Sequence, residues 1–200
     1  MLSDVLLILS GYLLGSVSSA VLVARAAGLP DPRTVGSRNP GATNVLRVGG
    51  KVTAAVVLAG DMLKGTAAVL LTAVAGASPR VQALAGLAAF LGHLYPIFFG
   101  FKGGKGVATY LGVLLGLAWV VGVMTMVTWL VVAFLFRYSS LAAMTAAALA
   151  PGYMAIFGVW PDWAIVSLVM SVLLLWRHRE NLQNLLAGRE SRIGDRSDAT

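Results

Sequence analysis

The chain of 200 residues has no cysteine, only eight acidic side chains and two histidines, and charged residues make up 12% of it. Without cysteine there is no disulfide framework, no thiolate nucleophile and no cysteine-based metal site. The few acids and histidines form no cluster with metal-ligand spacing. There is no Gly-x-Ser-x-Gly elbow, and neither His93 nor His178 has an aspartate five positions on, so the common His-x4-Asp pair is also missing. No internal repeat, low-complexity segment or long linker divides the chain, so residues 1–200 are read as a single domain.

What the sequence does have is apolar surface. Hydrophobic residues make up 58% of it and the mean hydropathy is +0.83, which describes a chain dissolved in lipid. The formal charge of +7 would suggest nucleic acid in a soluble protein. Here it reflects the excess of Lys and Arg in cytoplasmic loops of membrane proteins. The N-terminal apolar run carries Asp4 before it and its first basic residue, Arg25, after it. That order argues against a cleaved signal and for a retained first span, N-terminus outside.

Runs with few or no charges are Leu2 to Ala24, Val52 to Ala75, Val81 to Phe101, Val107 to Phe136, Leu141 to Val159 and Trp163 to Trp176. At 1.5 Å per residue, the fourth run would extend roughly 45 Å, too long for a hydrocarbon core of about 30 Å. Splitting it near Gly116 to Gly122 gives seven spans and a cytoplasmic C-terminus. Thirteen of the fifteen basic residues then lie inside, among them Arg137 and the five arginines from Arg177 to Arg196, with Arg80 outside and Lys64 within a span. A single helix would put Arg137 and the tail outside, against the positive-inside rule. The expected fold is all-α and integral to the membrane: about seven short transmembrane helices, cytoplasmic polar loops, and a C-terminal helix lying along the surface with Leu182, Leu185 and Leu186 on one face. Gly11 with Gly15 and Gly112 with Gly116 either permit close helix contact or are ordinary transmembrane composition.

Three polar segments fall on the cytoplasmic side. In the first, Gly36 to Gly50, glycines let backbone N–H groups approach a ligand. Ser37, Asn39, Thr43 and Asn44 add hydrogen-bonding side chains, and Arg38 and Arg47 suit bidentate phosphate contact. This is either an anion cradle or a loop whose arginines anchor topology. In the second, His93 lies in an apolar run ahead of Lys102-Gly103-Gly104-Lys105-Gly106, which opens a helix that includes Thr109. Flexible backbone, an ammonium and a helix N-terminus form an anion site, but the P-loop spacing is absent. His93 faces a wet cavity or makes a helix–helix hydrogen bond. No carboxylate accompanies it within its motif, so an oriented histidine base is not evident. Asp61 and Lys64, three residues apart on one helix, read as a structural ion pair. The third segment, Arg177 to Asn181 with Gly188 to Glu190, adds donors at the membrane surface.

These residues resemble the PlsY family, the acyl-phosphate:glycerol-3-phosphate acyltransferases of bacterial phospholipid synthesis. The family's Gly-Ser-x-Asn-x-Gly-Ala-Thr-Asn-x-x-Arg motif is met by Gly36 to Arg47, and its Gly-His-x-x-Pro-x-Phe with Lys-Gly-Gly-Lys-Gly-x-Ala-Thr by Gly92 to Thr109. Its third motif is met in part by His178, Asn181, Leu185, Gly188 and Glu190, and Asp61 to Gly65 resembles its second-span pattern. Leu182 replaces the usual Ile and Asn184 the usual Arg.

The resemblance implies acyl transfer from acyl phosphate to the sn-1 hydroxyl of glycerol 3-phosphate, without metal or cofactor, at the inner membrane. It implies that Ser37, Arg47, Lys105, His178 and Asn181 hold phosphate. Gly36, Gly41, Gly103, Gly104 and Gly106 let the ligand approach, and His93 sits nearby. Asn39, Asn44, Lys102, Thr109 and Glu190 complete the expected substrate-binding set. The expected partners are glycerol 3-phosphate, acyl phosphate, the bilayer and the soluble enzyme that makes acyl phosphate; nucleic acid is not among them. The rival class is a small-anion transporter, which would want an inverted repeat and polar outer half-spans that the sequence lacks. A non-catalytic assembly protein leaves the two phosphate-suited loops unexplained.

Overall fold

The computed structural model describes residues 1–194. Arg196 and Thr200 of the expected cytoplasmic tail lie outside the described residues. Among the described residues there is no strand. The helices are α1 (Leu2–Gly15), α2 (Ser19–Ala26), α3 (Ala42–Val74), α4 (Pro79–Leu94), α5 (Val107–Leu117), α6 (Trp119–Phe136), α7 (Ser139–Ile156), α8 (Pro161–Arg177) and α9 (Arg179–Leu186). A 3-10 turn at Ile97–Phe99 follows α4.

Four helical segments, Ala42–Val74, Pro79–Phe99, Trp119–Phe136 and Ser139–Ile156, are long and apolar enough to cross a bilayer. The pair α1 and α2 makes a fifth if taken as one broken span. The remaining helices of the expected seven spans, α5 and α8, are shorter, with 11 and 17 residues.

The first apolar run is not one helix. It breaks between Gly15 and Ser19 and bends by 42°, with Ser18 Oγ capping α2 by accepting from the Val21 N–H. The break leaves the Val17 carbonyl without a helical partner, and Lys64 Nζ supplies one at 2.7 Å. The second departure is the start of α3, ten residues before the expected span. Apolar positions at Ala42 and Val45 turn one face of this segment inward, and Val45 packs with Ala20 and Val57. Gly50, at φ 79°, kinks the chain into the main helix, a conformation that only glycine adopts without strain. Thr43, Asn44 and Arg47 therefore stand on a short helix at the membrane end rather than in a loop.

The fourth run divides at Ala118, whose φ of −141° separates α5 from α6. The chain reverses there, and Arg137 at the end of α6 returns to the C-terminal segment, where Ile193 N–H donates to its carbonyl at 2.6 Å. At the opposite end Arg80 pairs with Asp162 at 3.2 Å, and Trp163 Nε1 donates to the Pro79 carbonyl, so α4 and α8 start together.

Helices pack through small residues. A Cβ on Gly15 would lie 2.0 Å from the Ala89 carbonyl oxygen, and one on Gly112 equally close to that of Met62. Of the two readings open for these glycines, close helix contact is the one found. Phe90, Tyr110, Leu114 and Met170 fill the centre, with Tyr110 hydroxyl bonded to Ser171 Oγ at 2.8 Å. Phe134, Leu63 and Ile156 remain exposed on the outside, a surface that suits lipid.

Candidate active site

All three polar segments meet at one end of the helices. Lys105, in the glycine loop before α5, hydrogen-bonds Asn181 Oδ1 on α9. Asn181 Nδ2 donates to Glu190 Oε1 at 2.8 Å, and Ser140 Oγ, from the start of α7, donates to the same oxygen at 2.6 Å. Arg47 reaches the next residue, donating from Nη2 to Ser191 Oγ at 2.5 Å, while Thr43 and Ser139 hydroxyls lie 3.2 Å apart.

The charge balance identifies what the site can take. Burial weakens the hold of Lys105 on its proton, Glu190 and Glu180 oppose that, and Arg177 and Arg47 add to it. Several cations thus face each other with few acids between them, an arrangement relieved by an anion. Glu190 is already engaged by Asn181 and Ser140 and, as a carboxylate, would repel a phosphate. It orients those donors. His178 is buried, and burial, with Lys105 nearby, pushes it down to about 4 against the support of its hydrogen bond to the Leu174 carbonyl. That bond, 2.9 Å from Nδ1 to a carbonyl that can only accept, places a proton on Nδ1, while burial keeps the ring neutral. In the neutral ring Nε2 is then an acceptor, which suits a substrate hydroxyl.

Within the first motif, Asn44 is fully committed. Its Oδ1 accepts from the Ser37 N–H at 2.9 Å and its Nδ2 donates to the carbonyls of Pro32 and Val35. Through these bonds it shapes the loop that presents exposed Ser37. A Cβ on Gly36 would lie 2.3 Å from that Oδ1, and its φ is 59°, so both space and backbone require glycine there. Gly41 begins the short helix beside Asn39. Thr109 does not join the site: it is fully buried in α5 where α3 crosses. Lys102 is exposed and lines a cavity with Gly103, Arg38 and Arg177.

His93 lies beneath the glycine loop. Its carbonyl accepts from the Gly104 N–H at 3.2 Å, and Cβ atoms on Gly103 or Gly104 would collide with its carbonyl or its Nε2. Its Nδ1 is 3.6 Å from Asp61 Oδ1, which in turn pairs with Lys64 Nζ at 2.9 Å. A carboxylate does accompany His93, supplied by α3 and invisible within the histidine's own motif. The other residues missed are Ser139, Ser140 and Ser191. Two adjacent serines opening a helix after Arg137 were the available signal.

Comparison with known proteins agrees with this geometry. Residues 5–188 match the family described as glycerol-3-phosphate acyltransferase. The chain is 57% identical to the glycerol-3-phosphate acyltransferase of Methylococcus capsulatus, over 94% of this chain and 96% of that one. It is 55% identical to that of Halorhodospira halophila, over 96% and 97%. Crystal structures of PlsY, an integral membrane glycerol 3-phosphate acyltransferase, superpose with TM-scores of 0.91 for the glycerol 3-phosphate form and 0.89 for the lysophosphatidic acid form. Sequence identities are 41% and 39%, and each match covers 96% of both chains. The chain is an all-α integral membrane protein, and it belongs to the glycerol-3-phosphate acyltransferase family.

Proposed function

We propose that this protein transfers a fatty acyl group from acyl phosphate to the sn-1 hydroxyl of glycerol 3-phosphate, giving lysophosphatidic acid and inorganic phosphate. The observation that carries this reading is the convergence of Arg47, Lys105, Asn181 and Ser140 at one end of an apolar bundle, where a water-soluble phosphate can meet a lipid chain. The glycerol 3-phosphate and lysophosphatidic acid forms of the related PlsY correspond to acceptor and product of this reaction. The donor follows from size: a compact acyl phosphate shares one cationic cradle with the acceptor, whereas acyl-CoA or an acyl carrier protein needs a larger docking surface than these loops supply.

In the reaction the hydroxyl oxygen attacks the acyl carbonyl carbon, the carbonyl carbon–phosphate oxygen bond breaks, and phosphate leaves with the electron pair. Arg47 and Lys105 hold and neutralise phosphate, Ser37 adds a hydroxyl donor, and the glycine loop brings backbone N–H groups close. His178 Nε2 accepts from the acceptor's glycerol. The attacking hydroxyl's proton goes to a substrate phosphate oxygen, since His93 lies under the loop with its ring against Gly104. His93 acts by positioning that loop.

The cytoplasmic, seven-span orientation belongs to the same reading. Arg47, the glycine loop, Arg137 and Arg177 share one end of the helices, and Arg80 marks the other, as the positive-inside rule requires. The deciding experiment supplies purified protein with glycerol 3-phosphate and either acyl phosphate or acyl-CoA. Lysophosphatidic acid from acyl phosphate alone is expected; efficient synthesis from acyl-CoA alone would overturn the donor assignment.

A further inference from the structure

Glu190 and Ser191, which meet Asn181, Ser140 and Arg47 at the site, lie on irregular backbone after α9. That stretch is anchored on both sides. Upstream, the Arg189 N–H closes the end of α9 on the Asn184 carbonyl at 2.8 Å. Downstream, the next two residues, Arg192 and Ile193, are fastened to the turn between α6 and α7. Ile193 N–H donates to the Arg137 carbonyl at 2.6 Å, and the Arg137 guanidinium returns to the Ile193 carbonyl from Nη2 at 2.9 Å and Nε at 3.3 Å. Arg192 Nε donates to the Tyr138 hydroxyl at 3.1 Å, with its guanidinium 5.4 Å from the centre of the Tyr138 ring. In that turn Arg137 has φ 61°, a conformation uncommon outside glycine, and presents both carbonyl and guanidinium to one residue. A marker of topology needs only its charge, whereas this side chain is committed to a single carbonyl two residues from Ser191.

We propose that Arg137 is a positioning residue for acyl transfer: through Ile193 it fixes the backbone that carries Glu190 and Ser191, so that Ser191 holds Arg47 in its phosphate-binding pose before substrate arrives. The inference rests on the reading that Arg47 holds phosphate, and it does not use the identity of the acyl donor. A long arginine side chain loses much rotamer freedom when it is ordered. With the clamp in place that loss is met in folding; without it, the loss falls on substrate binding. Once phosphate is seated the same Arg47 contacts form, so the effect belongs to KM and not to kcat.

The test is steady-state kinetics of the purified protein with glycerol 3-phosphate varied, at a saturating level of whichever donor supports wild-type turnover. Arg137→Asn tolerates the positive φ and removes the guanidinium. It should raise KM for glycerol 3-phosphate by about three- to tenfold, the range for one or two lost hydrogen bonds, with kcat within about twofold of wild type. In a Ser191→Ala background the same substitution should add little, because the link to Arg47 is already cut. A mere loss of positive charge would act equally in both backgrounds, so multiplying effects overturn the proposal. Tyr138→Phe, which removes only the acceptor for Arg192, should move KM in the same direction by a smaller factor, and it decides alone if Arg137→Asn does not fold. A loss confined to kcat reports less folded enzyme and also overturns the proposal, as does an unchanged KM in both variants. Arg47→Ala separates the two readings. Wild-type kinetics there would remove the phosphate-holding role and this inference with it, whereas an impaired Arg47→Ala beside an unaffected Arg137→Asn overturns the inference alone.

Discussion

The molecule holds two polar clusters, one buried within the helices and one partly open at their ends, each with a histidine, and they differ in charge balance. Within the helices, Asp61 and Lys64 offset each other, Lys64 also closes the break between α1 and α2, and His93 lies against Asp61 and the glycine loop. At the helix ends, Arg47, Lys105 and Arg177 outnumber the one carboxylate, Glu190, that is tied into the hydrogen-bond network. A self-neutral cluster in a dry bundle is complete without a ligand, whereas one with cations in surplus is completed by an anion. The comparison predicts that damage to the first will appear in folding and damage to the second in turnover.

The largest effects are expected where the cationic surplus is removed. Arg47→Ala and Lys105→Ala should each lower turnover by about 10³-fold, the upper range for removing one donor that stabilises developing charge, with Ser37→Ala also severely impaired. Folding in detergent should be unchanged. Thermal unfolding measured beside initial rates checks both; a collapsed melting temperature would mean that these cations are structural after all.

The inner cluster should answer in the opposite way. Asp61→Ala leaves Lys64 buried without its partner and should destabilise by about 3–5 kcal/mol. Asp61→Ala/Lys64→Met removes both charges and should recover part of that loss. Denaturation midpoints for the single and double variants test this, and a double variant as unstable as Asp61→Ala would remove charge balance as the reason for the pair. A smaller effect is expected from Glu190→Gln, which keeps an acceptor for Asn181 and Ser140: rates should fall by about tenfold or less, read from initial rates at saturating glycerol 3-phosphate.

How much of this was legible in the sequence follows the same division. Asp61 and Lys64 were readable as a pair because their spacing lies along one helix, and Lys105 and Asn181 because each sits in a motif. The break at Ala118 was legible because an apolar run of that length exceeds the bilayer, and the charge rule chose where the chain must turn. Contacts between elements were not. Nothing local announces that α3 brings Asp61 to His93, or that Ser140 reaches Glu190 across fifty residues. The break between α1 and α2 was hidden because Ser16, Val17 and Ser18 are tolerated in a continuous transmembrane helix, and the residue that stabilises the break, Lys64, is on another. The structural part played by Asn44 was hidden for a related reason: its polarity suggested a substrate contact, while its hydrogen bonds to Pro32 and Val35 cross a loop whose shape cannot be read locally.

The two histidines give the finest form of the comparison. His178 is held neutral, pushed from 6.5 to about 4 by burial. A histidine depressed in the fold leaves stability intact above its unfolded value. Stability is lost as pH falls from about 6.5 towards 4, where the unfolded chain takes up a proton that the folded one refuses. His178→Asn should flatten that part of the stability curve, measured by thermal melts across the window. His93 should contribute to rate only through the loop it supports. His93→Gln, which can still hydrogen-bond, should therefore keep measurable activity, well above that of Arg47→Ala, and should keep the shape of the wild-type pH–rate profile. The measurement is the turnover of folded His93→Gln between about pH 5 and 8, where an unperturbed histidine changes charge. If its loss exceeded that of the Arg47 and Lys105 variants and a wild-type limb in that range disappeared with it, His93 would be the base. Asp61 would then be its orienting carboxylate, and the inner cluster would belong to the chemistry and not to the scaffold.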